Sequence, residues 1–486
     1  MEKQGLKIGW AQVDITPKEK VLVSGQFHAR VSEGVRDPIT ATALALEGTD
    51  QAVMVSCDLV TISNELQESV RTAIKQRAPG LEAKKVFLNA THTHTAPEPR
   101  NNPLGVLMEG PGVSLKDLGV MNPADYVAWA AEKIAEAVVK AWGSREEGSF
   151  SYGLGQAVVG HNRRWTNTEG ISTMYGNTND PKFSHIEGYE DHSVNLLYTW
   201  DKNYRLTGVV INLACPSQES ESEFTLSADF WYETRVQIRK QLGDYLFVLP
   251  QCSPAGDQSP HHIFRKAAEE RMLRLAGRDS RQEIAMRITH AVETVLPLAE
   301  KEKYREGCFS HLVETVELPL RKLSQAEVKE SLAEARKLKE EYEKLKKELE
   351  ENPDLKKNPR WYVKITYAYR RAAWFENVAN RYQQQQIGQL QPYEIHVIRL
   401  GDIAIATNPF EYFLDYGIRI QARSPAVQNF LIQLVGSGTY VPTLRAVAGK
   451  GYGAVSASNH IGPEGGALLV EKTLELLYSL WKKQPD

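Results

Sequence analysis

The stretch 86-VFLNATHTHTAP-97 joins an apolar run to two histidines and ends in a proline. The run 86–88 predicts a buried strand, and a chain extended through residue 94 would point His92 and His94 to the same side, about 7 Å apart. Two imidazoles on one side indicate a shared site, made either of two metal ligands or of one ligand beside a catalytic or hydrogen-bonding histidine. A polar strand end with ordinary surface histidines is the alternative.

The composition is that of an ordinary soluble globular protein, with 42% hydrophobic and 24% charged residues among 486. A net charge of -3 gives no reason to expect nucleic acid or an anionic membrane as a partner. The cysteines at 57, 215, 252 and 308 are too far apart for a CxxC motif and predict reduced thiols. The N-terminus has no apolar leader segment, so we expect a cytoplasmic protein.

Short β-rich runs alternate with helical stretches over residues 1–310. Predicted strands cover 52–60, 86–94, 206–215 and 245–252, a further strand pattern covers 394–409, and predicted helices cover 63–78, 124–142, 229–242, 264–298 and 466–483. This mixture predicts an α/β (α+β mixed) unit.

Residues 321–384 have a different pattern. Ser324 and Glu327 form a capping box, and an apolar stripe with Lys and Glu between its members follows at coiled-coil spacing. The segment 352–359 breaks this helix, and a more aromatic helix starts at 361. The pattern predicts a helical hairpin over 321–384, inserted into a domain formed by 1–320 and 385–486. It either packs on its own protein or serves as a dimerisation arm in a homo-oligomer.

Polar loops follow several predicted strands, where α/β sheets place their sites. In 160-GHNRRW-165, which also contains His161, the adjacent Arg163 and Arg164 can bind a carboxylate or phosphate, or form a surface turn paired with acidic residues. In 214-ACPSQES-220, Cys215 is a nucleophile, a soft metal ligand or a small buried residue, and Gln218 can reach a cavity at the strand end.

Two further loops carry candidate groups. In 250-PQCSPAGDQSP-260, Asp257 can accept backbone N–H bonds and Pro260 restricts Ser259, although the segment is not the GxSxG elbow. In 408-NPFEYF-413, Glu411 stands among apolar neighbours and needs a cation, a metal or hydrogen bonds. Tyr440 and His460 follow in glycine-containing loops.

The order of these motifs resembles the catalytic domain of the neutral/alkaline (non-lysosomal) ceramidase family, of which the chain is identified as a divergent member. The motifs are GWAQVDITP, 35-VRDPITATALAL-46, HTHTAP, the NR of HNRRW, AGDQSP and PFEYF, and they span nearly the whole chain apart from the hairpin. The resemblance implies two packed β-sheets flanked by helices and a zinc-dependent amidase.

The resemblance also implies roles for residues. The zinc ligands would include His92, Glu411 and Tyr440, and His94 would lie beside the reacting amide. Ser259 would occupy the reaction centre, and Asn162 and Arg163 match the family's Asn-Arg pair. From the loops themselves we add Asp257 as a catalytic candidate and His161, Arg164 and Gln218 as substrate-binding candidates.

One departure from the family pattern concerns the metal. The remaining zinc histidine should follow the strand that ends near 214, where this chain has Cys215-Pro216. Cys215 thiolate would replace the imidazole, His161 or His460 would fold in, or the metal would be absent and leave Ser259 and His94 without a Lewis acid. We also expect the family's C-terminal immunoglobulin-like domain to be absent, because the chain ends soon after its last helix.

Three functions therefore stay open. The first is amide hydrolysis of a small soluble N-acyl compound, on which the paired arginines indicate an anionic group. The second is a sugar-acting enzyme, a glycoside hydrolase with paired carboxylates. The third is a non-catalytic scaffold that assembles through the hairpin.

Overall fold

A computed structural model describes residues 5–100, 113, 115–386 and 388–482 of the chain. The strands are β1 Lys7–Asp14, β2 Gly34–Val35, β3 Thr40–Glu47, β4 Gln51–Cys57, β5 Val86–Ala90, β6 Glu146–Gln156, β7 His161–Asn162, β8 Arg164–Asn167, β9 Ser172–Met174, β10 Phe183–Ile186, β11 Ser193–Asp201, β12 Leu206–Leu213, β13 Thr225–Leu226, β14 Phe247–Cys252, β15 Gln258–Ser259, β16 Phe309–Pro319, β17 Leu390–Leu400, β18 Ile403–Thr407, β19 Glu411–Tyr412, β20 Gln428–Ile432 and β21 Tyr440–Val441. The α-helices are α1 Asn64–Ile74, α2 Leu115–Leu118, α3 Pro123–Gly143, α4 Phe230–Leu242, α5 Lys266–Ala276, α6 Ser280–Ala299, α7 Gln325–Glu351, α8 Tyr362–Gln384, α9 Leu414–Arg423, α10 Leu444–Gly449 and α11 Pro463–Lys482.

Eight strands form a large mixed sheet in the order β14-β12-β11-β6-β1-β3-β4-β5. Its central strands are buried on both faces, which explains their nearly continuous apolar sequences. Helices α1 and α3 cover one half of the outer face, and α4 and α6 cover the other half. The polar loops at the ends of these strands are therefore anchored to a well-packed sheet.

A second sheet packs against the inner face of the first. It has the order β16-β17-β18-β20, and apolar side chains of both sheets, such as Phe87 and Phe430, share one core cluster. Helices α9 and α11 pack with the far side of this sheet. The predicted fold class, a mixed α/β protein with two packed sheets flanked by helices, is therefore confirmed.

Two local predictions are wrong. The strand predicted through residue 94 ends at Ala90, and His92 has φ +67°, in the left-handed region. The helix predicted over 264–298 is two helices, because Gly277 takes φ +63° and ends α5 before α6 begins. No helix within the described ranges is long and apolar enough to cross a bilayer.

The hairpin helices α7 and α8 lie between β16 and β17, which are neighbouring strands of the second sheet. Ser324 and Glu327 form the expected capping box of α7. Helix α8 packs on the loop before β2, where the Ala29 amide donates to Thr366 Oγ1 at 2.9 Å and the Val31 amide donates to the Tyr362 hydroxyl at 3.2 Å. The apolar side of the hairpin is thus used within its own chain.

Candidate active site

The two histidines of the opening stretch meet at the end of β5. His94 Nε2 lies 3.2 Å from His92 Nε2. Nδ1 of His92 lies 2.6 Å from the Val60 carbonyl and donates to it, because a carbonyl only accepts. Burial lowers the pKa of His94 to about 4, so this ring is neutral near pH 7. The pair is brought together by a turn at His92 rather than by an extended strand.

Glu411 and Tyr440 face this pair from two short parallel strands. They are directly opposite each other in the β19–β21 pairing, and Glu411 Oε2 lies 3.4 Å from His92 Nε2. Burial alone would raise the pKa of the Glu411 carboxyl, but the charge of His92 and hydrogen bonds from His92 and Tyr440 lower it. Three of the four predicted metal ligands, His92, Glu411 and Tyr440, therefore lie side by side.

Arg163 places a buried positive charge in the same site. Its guanidinium donates to the Tyr440 hydroxyl at 3.1 Å, to the Gly256 carbonyl at 3.0 Å and to Gln218 Oε1 at 3.4 Å. Burial opposes this charge, but the neighbouring Tyr440, Tyr175 and Glu411 raise the pKa of Arg163 well above its ordinary value. The predicted substrate-binding residues Arg163 and Gln218 are thus in the site and in contact with each other.

Ser259 lies in the short strand β15, and its hydroxyl is held by two donors. The Tyr175 hydroxyl donates to Ser259 Oγ at 2.9 Å, and the backbone amide of His261 donates to the same oxygen at 3.1 Å. Gln218 Nε2 in turn donates to the Tyr175 hydroxyl at 2.5 Å. Because two donors use the lone pairs of Ser259 Oγ, the proton of this hydroxyl is available for donation.

Glu221 joins the two halves of the site. Its Oε2 lies 3.4 Å from His94 Nδ1 and accepts from Gln218 Nε2 at 3.3 Å, and its Oε1 lies 3.8 Å from His261 Nδ1. Burial would raise the pKa of this carboxyl, but the interaction with His94 and the charges of His261 and Arg163 lower it. Contacts therefore run from Ser259 through Tyr175, Gln218 and Glu221 to the histidine pair.

A single buried arginine fixes the loops that carry these groups. The guanidinium of Arg30 donates to the backbone carbonyls of His94 at 2.5 Å, Glu221 at 2.8 Å and Glu223 at 2.6 Å, and also to that of Ser24. Arg30 is 0% exposed. Its donors thus satisfy carbonyls from three separate segments of chain.

Gly25 lies directly behind His94. It has φ +103°, and a Cβ at this position would stand 2.6 Å from His94 Cγ. Only glycine allows both this backbone conformation and so close an approach. The absence of a side chain at position 25 therefore leaves the room that the imidazole occupies.

Arg164, predicted to bind substrate, makes its hydrogen bonds within the protein. Its guanidinium makes two hydrogen bonds to Glu187, at 2.8 and 2.7 Å, and both side chains are almost fully buried. The remaining donors reach the carbonyls of Tyr452 at 2.5 Å and Lys450 at 2.6 Å. The Arg164 guanidinium thus makes its hydrogen bonds to groups of the protein. Of the two predicted arginines, only Arg163 contacts the other residues of the site.

Asn162 and Asp257 also bond chiefly to each other and to the backbone. Asn162 Nδ2 donates to Asp257 Oδ2 at 2.9 Å, and the Leu414 amide donates to Asp257 Oδ1 at 2.9 Å. Burial raises the pKa of Asp257 to about 6. These contacts tie the Ser259 loop to β7 and to the start of α9, which is a positioning arrangement rather than the predicted catalytic one for Asp257.

Cys215 is placed in the apolar core. It belongs to a cluster with Phe230 and Trp231 beneath α4, and its Sγ lies 3.4 Å from the Pro216 carbonyl. Burial raises the pKa of this thiol well above its ordinary value, so the thiolate that a metal requires is disfavoured. The prediction of Cys215 as a ligand therefore has no support in its surroundings.

The other two histidines considered as replacements are engaged elsewhere. His161 Nδ1 lies 3.4 Å from Glu190, and its ring packs 4.1 Å from that of His262. His460 lies beside Arg381 of the hairpin, and burial with this charge lowers its pKa to about 4. Among the residues that the structure describes, no three or more His, Cys, Asp or Glu side chains form a ready-made metal site.

A cavity of about 420 Å³ is lined by Pro260 and His261, which follow Ser259 in the chain, although the buried Ser259 itself does not line it. Tyr175 and His261 line it at the serine, His161 and Glu219 line it further out, and residues of α5 and α6 close it. This volume is in the range of sites for small molecules. His161 thus stands in the wall of the cavity, as its predicted substrate-binding role requires.

Sequence reasoning missed Tyr175, Glu221 and His261. The pair 261-HH-262 directly follows the serine loop, and Glu221 is one residue beyond the loop read as 214–220, so both had a local signal. Tyr175 had none, because it reaches Ser259 across 84 positions of sequence.

The architecture defines the chain as a protein with a neutral ceramidase-like fold. The solved structures that it resembles include neutral ceramidase from Pseudomonas aeruginosa, with a TM-score of 0.66 and 16% identity over 100% of this chain and 76% of that one. A ceramidase complexed with C2 gives a TM-score of 0.64 and 16% identity over 99% of this chain and 76% of that one. No protein-family model and no curated protein sequence matches the chain. The structural likeness confirms the expected fold. A sequence identity of 16% does not extend the activity of these proteins to this chain.

Proposed function

We propose that the chain is a hydrolase that cleaves the amide bond of a small N-acyl compound. The observation that carries the proposal is the run of contacts from the Ser259 hydroxyl through Tyr175 and Gln218 to Glu221, which ends at the imidazole pair. It puts hydroxyl donors and an ionised carboxylate in one site, the groups that acyl transfer to water needs.

In the proposed reaction, Glu221 takes a proton from a water molecule whose oxygen attacks the amide carbonyl carbon. The Ser259 hydroxyl, with Tyr175 behind it, donates to the oxyanion that forms. Glu221 then returns the proton to the nitrogen as the C–N bond breaks, which gives a carboxylic acid and an amine. Arg163 supplies a fixed positive charge that supports an anionic substrate.

The resemblance implies zinc, and the donors at His92 fit a divalent ion in part. His92 Nε2 lies 3.4 Å from Glu411 Oε2 and 3.2 Å from His94 Nε2, although no three or more His, Cys, Asp or Glu side chains of the described residues form a metal site. His92, Glu411 and Tyr440 would hold the ion, and it would supply a Lewis acid beside the substrate carbonyl.

The test is a substrate panel on the purified full chain. N-acyl amino acids, matched neutral N-acyl amines, a short-chain ceramide and nitrophenyl glycosides would be incubated separately and the products identified by mass spectrometry. We expect release of free amine, fastest from the anionic N-acyl compounds, and its loss in Ser259→Ala. Glycoside cleavage without amide cleavage would favour the sugar-acting alternative, for which the presence of Glu221 and Glu411 in one site is the supporting observation.

If no member of the panel is cleaved, the proposal fails and the scaffold alternative is favoured. Light scattering of the intact chain over a range of concentrations then tests assembly. The hairpin contacts to residues 29 and 31 argue against a free dimerisation arm.

A further inference from the structure

Aromatic rings connect the candidate active site with the inserted hairpin. The Tyr440 ring, which belongs to the site, lies 5.4 Å from the Tyr452 ring between centroids. The Tyr452 ring lies 6.1 Å from both Phe27 and Trp374, and these last two rings are 5.2 Å apart. Trp374 belongs to helix α8. We call Phe27, Trp374 and Tyr452 the aromatic cluster, and all three of its members are only partly buried.

Arg371 of helix α8 places its guanidinium over the aromatic cluster. Its Cζ lies 4.4 Å from the ring centroid of Phe27, 4.5 Å from that of Trp374 and 5.9 Å from that of Tyr452. A guanidinium held over ring faces keeps the N–H groups at its edges for an acceptor.

The N–H groups of Arg371 are not used within the protein. Among the residues that the structure describes, Arg371 has no hydrogen bond and no ion pair, and its side chain is partly exposed. Glu334, whose charge acts on Arg371, forms its own ion pair with Lys337 at 2.6 Å. The guanidinium is therefore held in place by the rings while its hydrogen-bond donors remain free.

Other arginines nearby donate to groups of the protein. Arg163 donates to three acceptors of the site, and Arg30 donates to backbone carbonyls. Arg370 of α8 donates to the Gln26 carbonyl at 3.4 Å. Burial, with the charges of Arg30 and Arg370, lowers the pKa of His28 to about 4. An anion next to α8 is thus attracted by several positive charges.

We propose that Arg371 binds a carboxylate of the substrate and that the aromatic cluster packs against the apolar part beside it. A guanidinium with a free edge can bind a carboxylate through two parallel N–H···O bonds, whereas the donors of Arg163 are occupied. The inference rests on the proposed function, for which it names the residue that recognises the anionic group. It also gives the hairpin a role in substrate binding.

The experiment compares two substrates that differ in charge, an N-acyl amino acid and the N-acyl amine in which a methyl group replaces the carboxylate. The kcat and KM of wild type, Arg371→Met and Arg336→Met would be measured for both. Arg336→Met is the matched control, because Arg336 is an exposed arginine of the same hairpin.

We expect the KM of Arg371→Met for the N-acyl amino acid to rise on the order of 10-fold, because a charged hydrogen bond is lost. Its kcat should stay within about twofold of wild type, since this contact is made away from the reacting bond. The KM for the neutral compound should change less than about twofold in Arg371→Met, as should both KM values in Arg336→Met.

Arg371→Lys is the second variant. It keeps the charge but not the two-pronged geometry, so its KM for the N-acyl amino acid should be intermediate. Thermal unfolding checks that each variant is folded, and the same comparison in Arg371→Lys decides if Arg371→Met does not fold. An Arg371 variant that prefers the anionic compound as strongly as wild type does, or loses both substrates equally, would overturn the inference.

Binding without turnover separates this inference from the proposed reaction. If neither amide is cleaved, isothermal titration calorimetry of the same two compounds tests Arg371 by itself. Weaker binding of the anionic compound alone in Arg371→Met would support the inference and refute only the reaction. Equal binding of the two compounds by wild type, or no binding of either, would overturn the inference.

Discussion

Glu221 Oε2 lies 3.4 Å from Nδ1 of His94, and the backbone carbonyls of both residues accept from the same arginine. The Glu221 carboxylate therefore orients the His94 imidazole. It also accepts from the Gln218 side-chain amide, which donates in turn to the Tyr175 hydroxyl. It combines contact with the histidine pair and proximity to the serine, and this gives it the central position in the site.

Replacing Glu221 by Gln should lower kcat by on the order of 10²–10⁴, because the amide keeps a hydrogen-bond acceptor but not a proton acceptor. Glu221→Asp should retain part of the activity. The control is Glu219→Gln, which removes a nearby carboxylate that contacts His261 but not His94. Steady-state kinetics on the best substrate of the panel would check this, and a fully active Glu221→Gln would exclude the proposed proton transfer.

Ser259→Ala should lower kcat by on the order of 10²–10³, as expected for loss of a donor to the oxyanion. Tyr175→Phe should act in the same direction, because it removes the hydroxyl that holds Ser259 Oγ at 2.9 Å. Tyr189→Phe is the control, since the Tyr189 side chain is 57% exposed. Equal activity of the two tyrosine variants would remove Tyr175 from the proposed site.

Gly25→Ala should impair activity more than folding. Its new Cβ would stand 2.6 Å from His94 Cγ, and a displaced catalytic group costs on the order of 10²-fold in rate. Gly80→Ala is the matched control, because Gly80 also has positive φ but has open space around its Cβ position. Both variants share a backbone strain of about 1–2 kcal/mol. Thermal unfolding and kcat measured side by side separate strain from displacement.

Arg164→Met should destabilise the protein by about 3–5 kcal/mol, because it leaves the Glu187 carboxylate buried without its partner. Arg423→Met, which breaks an ion pair whose side chains are about half exposed, should leave the free energy of unfolding close to that of wild type, because solvent screens the pair. Urea unfolding measures both. The KM of folded Arg164→Met should stay near that of wild type, and a large rise in KM with unchanged stability would restore the substrate-binding role.

The Glu394 carboxyl should make stability depend on pH in acid. Burial would raise its pKa, but hydrogen bonds from His396 and Arg71 outweigh burial and lower it from 4.5 to about 2. A lowered pKa stabilises the fold fully above the unfolded value and loses this contribution as pH falls through the folded one. The free energy of unfolding of wild type should therefore fall more steeply between pH 4.5 and 2 than that of Glu394→Gln. If the free energy of unfolding fell equally steeply with pH in wild type and in Glu394→Gln, the lowered pKa of Glu394 would be contradicted.

The fold was largely predictable because its signals are local. The apolar runs of β4, β12 and β14 and the capping box of α7 each depend on residues within one element, and all four are present in the fold. Gly277, which divides α5 from α6, was also visible in the sequence, but one glycine inside a helical pattern is tolerated too often to decide a break.

The site was predictable in its residues rather than in its geometry. His92, Glu411, Tyr440 and Ser259 were found from short motifs. The left-handed turn at His92 goes with hydrogen bonds from its backbone amide to the Leu59 carbonyl and from Nδ1 to the Val60 carbonyl, some 30 positions away, which strand periodicity does not register. The pairing of Arg164 with Glu187 could not be predicted, because the two residues meet only once the chain is folded.

Arg30 crosslinks three chain segments without any covalent bond. Any one segment that moves away leaves donors of this buried guanidinium without an acceptor, so we expect the loops that carry the carbonyls at 24, 94, 221 and 223 to open together rather than one at a time. Amide hydrogens along all three segments would then exchange with solvent at a common rate, as one cooperative unit with a single opening free energy.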